Sequence, residues 1–393
     1  MNIAYAYEYR ADDIDFQSGY PYFILDQLKK RARVGKVFPL SLHSKYAFAP
    51  KFLFYKLCGR TYRPDREPLV LKSLAAQVAR QLDDTGPDFD AGPDFLFSPS
   101  SAALSFLDTD LPKVFCADAT FANVVDAYAE YSECAAEYIR LAHAQEARAL
   151  STCAAAVYPS HFAACSAIED YGADPQKVHV LPFGANVSVP PQRIVDAAIA
   201  GRDLDPFRIL FNGRDWKRKG GDIVLRACEI ARQQGVRLTL DLVGPDTAPQ
   251  PLPDFARIHG LLLKSDLRQR QQLETLLAQT DLLFMPSRAE NYGIALCEAA
   301  AYGVPSLSSA VGGIPTIVRA DVSGYALPAD SPPEAYAAII RDWATDRERY
   351  RELCHSTRRF YDERLSWDKF GDNLMKILAS VSATAAATDK ISA

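Results

Sequence analysis

The hydrophobic pattern alternates between two periods along most of the chain. Short apolar runs rich in β-branched and aromatic residues are separated by stretches of ten or more residues with helical periodicity. The first series of runs predicts strands at Asn2–Glu8, Gly35–Leu40, Asp94–Ser98, Lys113–Asp118, Ala155–Ser160 and Val178–Phe183. Helices are expected between them, as at Tyr20–Ala32, Pro68–Leu82 and Thr120–Leu150. A second series follows at Arg208–Gly213, Arg237–Gly244, Ala256–Leu262, Asp281–Ser287, Val304–Ser309 and Gly324–Leu327. Strands alternating with helices argue for parallel sheets covered on both faces. Two such series predict two doubly wound α/β domains.

The polar, proline-bearing stretch from Asn186 to Pro206 reads as the boundary, with Pro190-Pro191 breaking regular structure. The expected organisation is an N-terminal Rossmann-like domain over 1–190 and a second over 191–355. Helices are expected over 356–380, and 381–393 read as a disordered Ala/Ser/Thr-rich tail.

Length and composition agree with this picture. A chain of 393 residues exceeds one ordinary core. A net charge of −5 gives no support to a nucleic-acid binder, whose phosphate contacts favour a basic surface. Eight cysteines without a CxxC pair suit reduced, buried thiols in a cytoplasmic protein. No signal peptide and no apolar run of spanning length are expected. Any membrane contact would be peripheral, and the basic-aromatic stretch Lys45–Arg60 is the segment that could make one. The same stretch reads more simply as a partly buried loop and helix whose lysines reach to solvent.

In open α/β sheets, ligands bind where strand ends enter helices. Two such segments carry chemistry. Pro286–Pro305 follows an apolar strand and opens a helix near Gly293, whose missing Cβ lets backbone approach a ligand. The amides of Tyr292 to Ala295, Gly293 and Ile294 among them, are first-turn donors suited to a diphosphate. Glu290 and Glu298 stand eight positions apart, roughly 12 Å if all of it were helical, and a carboxylate can accept from two neighbouring hydroxyls at once. The second segment, Leu210–Asp222, offers Gly213, Arg214, Lys219 and Gly220-Gly221 as a cationic turn able to clamp a diphosphate. Lys217 and Arg218 read as surface charges. No Walker loop, GxGxxG fingerprint, HExxH pair or serine elbow is present, so no metal or cofactor is expected.

These two segments resemble the G-R-x(n)-K-G and E-x7-E motifs of the group 1, family 4-like, retaining glycosyltransferases with the GT-B fold. Here Gly213-Arg214, Lys219-Gly220, Glu290 and Glu298 supply the matching residues. Ser18-Gly19-Tyr20, the Ala117–Phe121 run, Val178–Gly184 and Ser308–Pro315 resemble further family elements in family order. The resemblance implies two Rossmann-like domains facing a cleft, C-terminal helices over 356–380 that return to the first domain, a nucleotide-diphosphate sugar as donor, and transfer to a glycan, lipid or small molecule without a metal. It places Glu290 on the sugar, Glu298 on the ribose, Arg214 and Lys219 on the diphosphate, and Gly19 facing that diphosphate. Asp118 stands near a position where many members carry histidine. It reads either as a hydroxyl-binding group or as a cap of the helix beginning near Thr120. An epimerase on the same fold, or a silent nucleotide-sugar binder, are the other readings the motifs allow.

Overall fold

A computed structural model of the chain describes all residues except 85–88, 90, 91, 126, 129, 130, 132, 246 and 393, and the side chains of 384–392. The chain divides into two compact units, Met1–Leu181 with Phe370–Ala393, and Pro182–Lys369.

The first unit is built on six parallel strands: β1 (Asn2–Tyr7), β2 (Arg33–Pro39), β3 (Phe95–Ser98), β4 (Lys113–Cys116), β5 (Ala155–Tyr158) and β6 (Val178–Val180). Their spatial order is β2-β1-β3-β4-β5-β6. The second unit holds β7 (Phe207–Asn212), β8 (Leu238–Val243), β9 (Ala256–Gly260), β10 (Leu282–Met285), β11 (Ser306–Ser309) and β12 (Gly324–Leu327), in the order β12-β11-β10-β7-β8-β9. Every run named above as a strand contributes to one of these sheets. The central strands are apolar on both faces, as Leu282–Met285 shows with all four residues buried. That is the signature of a parallel sheet covered by helices on both sides. The core of the first unit gathers Phe38, Val78, Leu96, Phe115 and Tyr158. That of the second gathers Phe207, Phe211, Val224, Leu240, Phe284 and Tyr336.

Strand order sets where ligands can go. The strand order of each sheet reverses once, between β1 and β3 in the first and between β7 and β10 in the second. Loops leaving neighbouring strands at such a switch point diverge to opposite faces and open a crevice at the carboxyl edge.

Several expectations need correction. The second unit begins at Pro182, ahead of Pro190-Pro191. The stretch read as the boundary contains the helix Gln192–Gly201, whose Val195 and Ile199 lie one turn apart and are buried. A helical pair at i and i+4 was masked there by flanking prolines. The helical stretch 120–150 comprises Phe121–Val125 and Ala136–Thr152, and between them Cys134 bridges to Thr61. Among the terminal helices, Arg347–Arg364 belongs to the second unit, and the chain passes to the first at Phe370 within the helix Trp367–Ser392. That helix runs through the segment read as a disordered tail, consistent with the high helix propensity of alanine. Six cysteines are buried, while Cys58 and Cys165 are exposed.

Candidate active site

The second unit's switch point brings the two motif segments together. The loop after β7 is a tight turn: the Lys219 amide donates to the Asp215 carbonyl at 2.9 Å, and the Arg218 amide to the Asp215 side chain at 2.9 Å. Gly220 ends it with φ +75°, a left-handed conformation, and opens the helix Gly221–Gln233. A Cβ on Gly220 would lie 2.1 Å from the Pro286 carbonyl oxygen, and one on Gly221 2.3 Å from the Trp216 ring. Gly220 thus serves close approach between this turn and the chain leaving β10, and Gly221 close approach to Trp216 within the turn.

Side chains lace the two loops together. The Arg288 amide donates to the Arg218 carbonyl at 2.7 Å, and the Arg218 guanidinium donates to the Ala289 carbonyl at 3.0 Å. Arg288 forms a two-pronged ion pair with Asp222, at 2.8 and 2.7 Å. Over this frame the Lys219 ammonium meets the Glu290 carboxylate. The Arg218 guanidinium stands 3.9 Å from the same carboxylate. Arg218 and Arg288 are thus site-forming residues that the sequence reading passed over or took for surface. Their signal is long-range, since each acts across 66 to 71 positions. Arg214 is exposed at the start of the turn. Gly213 lies beneath it: a Cβ there would come 2.8 Å from the Lys219 side chain.

Gly293 adopts φ +102° and caps the helix Ile294–Ala301. Because that helix starts only at Ile294, the first half of the Glu290–Glu298 spacing is loop. Glu290 is therefore set by its loop, whereas Glu298 sits on the helix. Glu298 is only 1% exposed, and Lys264, just beyond β9, holds its carboxylate in an ion pair. A carboxylate has about four acceptor positions, so one ammonium leaves capacity for hydroxyl donors. The Tyr292 side chain turns inward, its hydroxyl donating to the Phe183 carbonyl at 2.9 Å. Burial raises that hydroxyl well above its ordinary pKa, and pushes the adjacent Cys297 thiol up to about 12. Tyr292 can reach a ligand only through its backbone. The Gly312-Gly313 loop closes the rim, the Gly313 amide donating to the Glu290 carbonyl at 3.3 Å.

Gly19 and Asp118 belong to the first unit. Gly19 has φ +84° and follows Gln17 and Ser18, both also left-handed, at the start of the helix Tyr20–Arg31. Asp118, half-buried beyond β4, lies close enough to the buried Tyr20 hydroxyl to add to the rise in pKa that burial imposes on it. The helix after Asp118 takes its cap from Thr120 and Asn123, each accepting the other's backbone amide at 3.3 Å.

Residues 193–360 match the family described as glycosyl transferases group 1. A D-inositol 3-phosphate glycosyltransferase of Segniliparus rotundus is 33% identical over 215 residues, covering 52% of this chain and 47% of the relative. D-inositol 3-phosphate glycosyltransferase 1 of Catenulispora acidiphila is 32% identical over 199 residues, 47% of each chain. The chain thus spans about half the length of the curated relatives it matches. Sucrose-phosphate synthase from Thermosynechococcus elongatus superimposes with a TM-score of 0.68 at 16% identity, over 98% of this chain and 100% of the other. HepE from Anabaena, crystallised with UDP and glucose, does so with a TM-score of 0.62 at 17% identity, over 97% and 100%. Residues 193–360 are thus similar to the group 1 glycosyl transferases, and the two six-stranded parallel sheets have the GT-B fold.

Proposed function

We propose that this protein transfers a sugar from a nucleotide-diphosphate donor to an acceptor, with retention at the anomeric carbon and without a metal. The observation that carries the reading is the ion pair of Lys219 with Glu290, which joins the cationic turn after β7 to the acidic loop after β10. That arrangement sets a hydroxyl-binding carboxylate beside an anion-binding turn, as the two ends of a sugar diphosphate require. HepE, similar in fold, was crystallised with UDP-glucose, and the curated relatives are named as glycosyltransferases.

On this reading Glu290 orients the reacting sugar. Arg214 and Lys219 offset the negative charge that grows on the departing diphosphate, the role a divalent ion plays elsewhere. The backbone of Tyr292, Gly293 and Ile294 adds the donors of the helix start. Glu298, buried and fixed by Lys264, receives the ribose hydroxyls. The leaving phosphate oxygen takes the acceptor proton on the face from which it departs, so no protein base is needed. Asp118 serves a hydroxyl of the acceptor, which is a glycan, a lipid or a small molecule. The protein works in the cytoplasm and meets membrane only at its surface.

A thermal-shift screen of nucleotide sugars tests donor binding, because a ligand that prefers the folded state raises the melting temperature by mass action. The productive donor is then incubated with and without candidate acceptors. Release of nucleoside diphosphate with a glycosylated product supports transfer. Conversion of the donor to an isomer without acceptor identifies an epimerase, and binding without turnover a silent binder.

A further inference from the structure

The helix Ala49–Leu57 in the first unit is amphipathic in the wrong sense for a soluble protein. One face holds it to the unit: the Lys51 ammonium bonds Glu67 at 2.6 Å and Glu137 at 2.7 Å, the Tyr55 hydroxyl bonds Glu137 at 2.8 Å, and the Tyr55 ring stacks on Tyr62. Lys51 and Tyr55 are one turn apart and share a face. At about 100° per residue, Leu53 and Leu57 fall on the opposite one. There Leu53 is 56% exposed and Leu57 80%, Phe54 on the flank next to Leu57 is 60% exposed, and no residue of this helix is buried. Single exposed apolar residues need no explanation, but several large ones on one short helix do.

The charge around this face says what covers it. The chain as a whole is acidic at −5, yet Lys45 to Arg63, the stretch that contains this helix, carries five lysines and arginines and not one aspartate or glutamate. Lys56 and Arg60 are exposed beside the apolar residues. An apolar face flanked by solvent-exposed cations matches a surface that is hydrocarbon beneath and negative on top. A protein partner would need acidic residues around an apolar groove, whereas an anionic bilayer offers both properties everywhere on its surface. Among the described residues no helix is long and apolar enough to cross a membrane, so the contact is peripheral.

We propose that the helix Ala49–Leu57 docks the protein on anionic lipid surfaces, with Phe54 and Leu57 entering the acyl boundary and Lys56 and Arg60 meeting the headgroups. The proposal deepens the surface contact assumed in the functional reading, and gives the acceptor a lipid-borne source.

The test is co-sedimentation of the full chain with vesicles of phosphatidylcholine alone or with an equal part of phosphatidylglycerol. No donor is added, so the result is independent of transferase activity. Failure of the transferase reading would appear separately, as absence of donor consumption in solution. The wild type should pellet with anionic vesicles, bind neutral ones about tenfold more weakly or less, and be released by salt. Phe54→Ser with Leu57→Ser, and separately Lys56→Glu with Arg60→Glu, should each lower binding about tenfold or more, with unchanged melting temperatures. Equal or no binding to the two vesicle types, or full binding by the serine variant, would overturn the proposal. So would a concentration-dependent dimer that Leu57→Ser dissociates without any vesicle binding, since the face would then join two copies of this chain.

Discussion

Lys219 and Glu290 form an ion pair across 71 positions of sequence, at the one place where the second sheet reverses its strand order. The pair is the point where the turn after β7 and the loop after β10 become a single site. Removing either partner leaves the other charge in a largely enclosed position, so the two residues act as a unit.

The packing of those loops depends on Gly220. With φ +75° and the Pro286 carbonyl oxygen 2.1 Å from where a Cβ would stand, Gly220→Ala should destabilise the second unit by about 3 kcal/mol or more. Gly235 has a similar backbone, φ +93°, with nothing within 4 Å of a Cβ. Gly235→Ala should therefore cost only the left-handed strain, about 1 kcal/mol. Thermal melts of the two variants separate crowding from backbone conformation. Equal losses would show that the loops do not need their close contact.

Glu298 and Lys264 provide a second separable pair. Lys264→Met strands a buried carboxylate and should cost about 3 kcal/mol. Adding Glu298→Gln removes the charge that was stranded and should recover at least half of that loss. Chemical denaturation of the two single variants and the double variant measures the coupling. Additive losses would mean the pair does not hold the Glu298 carboxylate in place.

Glu8 gives a pH signature in the first unit. Its carboxyl is buried, with one oxygen accepting from the Ser100 hydroxyl at 2.5 Å and the other without a hydrogen-bond partner. Burial raises its pKa above the ordinary value of 4.5, opposed by the Ser100 bond and by Arg66. A carboxyl raised in the folded state contributes stability in full below its unfolded pKa and loses it as pH climbs through the folded one. Glu8→Gln should therefore gain on the wild type as pH rises from 4.5, by at most about 1.4 kcal/mol per pH unit, and then hold a constant difference. Denaturant melts across that range read the difference. A constant difference throughout would show that Glu8 titrates as it does in the unfolded chain.

The fold was legible because its strands are local. Leu282–Met285 and Phe95–Phe97 are continuous apolar runs, and the alternation with helices marks a parallel sheet without tertiary information. The positions of Glu290 and Lys219 could be read from their loops, since strand, glycine and helix stand in order. The partners of those residues could not. Lys264 reaches Glu298, and Arg288 reaches Asp222 and Lys217, only once β9, β10 and β7 are arranged side by side. No periodicity encodes such a contact. The inward turn of Tyr292 was hidden for the same reason, because its acceptor is a backbone carbonyl at Phe183. The outward apolar face of Ala49–Leu57 was visible as an aromatic-basic stretch. Which side faced solvent was decided by the bonds of Lys51 and Tyr55 to Glu67 and Glu137.

The central claim is that the Lys219–Glu290 site performs sugar transfer. Its most direct test is the rate of nucleoside-diphosphate release with the productive donor and acceptor, for wild type, Lys219→Ala and Glu290→Ala, with melting temperatures measured alongside. Both variants should remain folded and lose more than about a hundredfold in rate. Near-normal transfer by both folded variants would contradict the account.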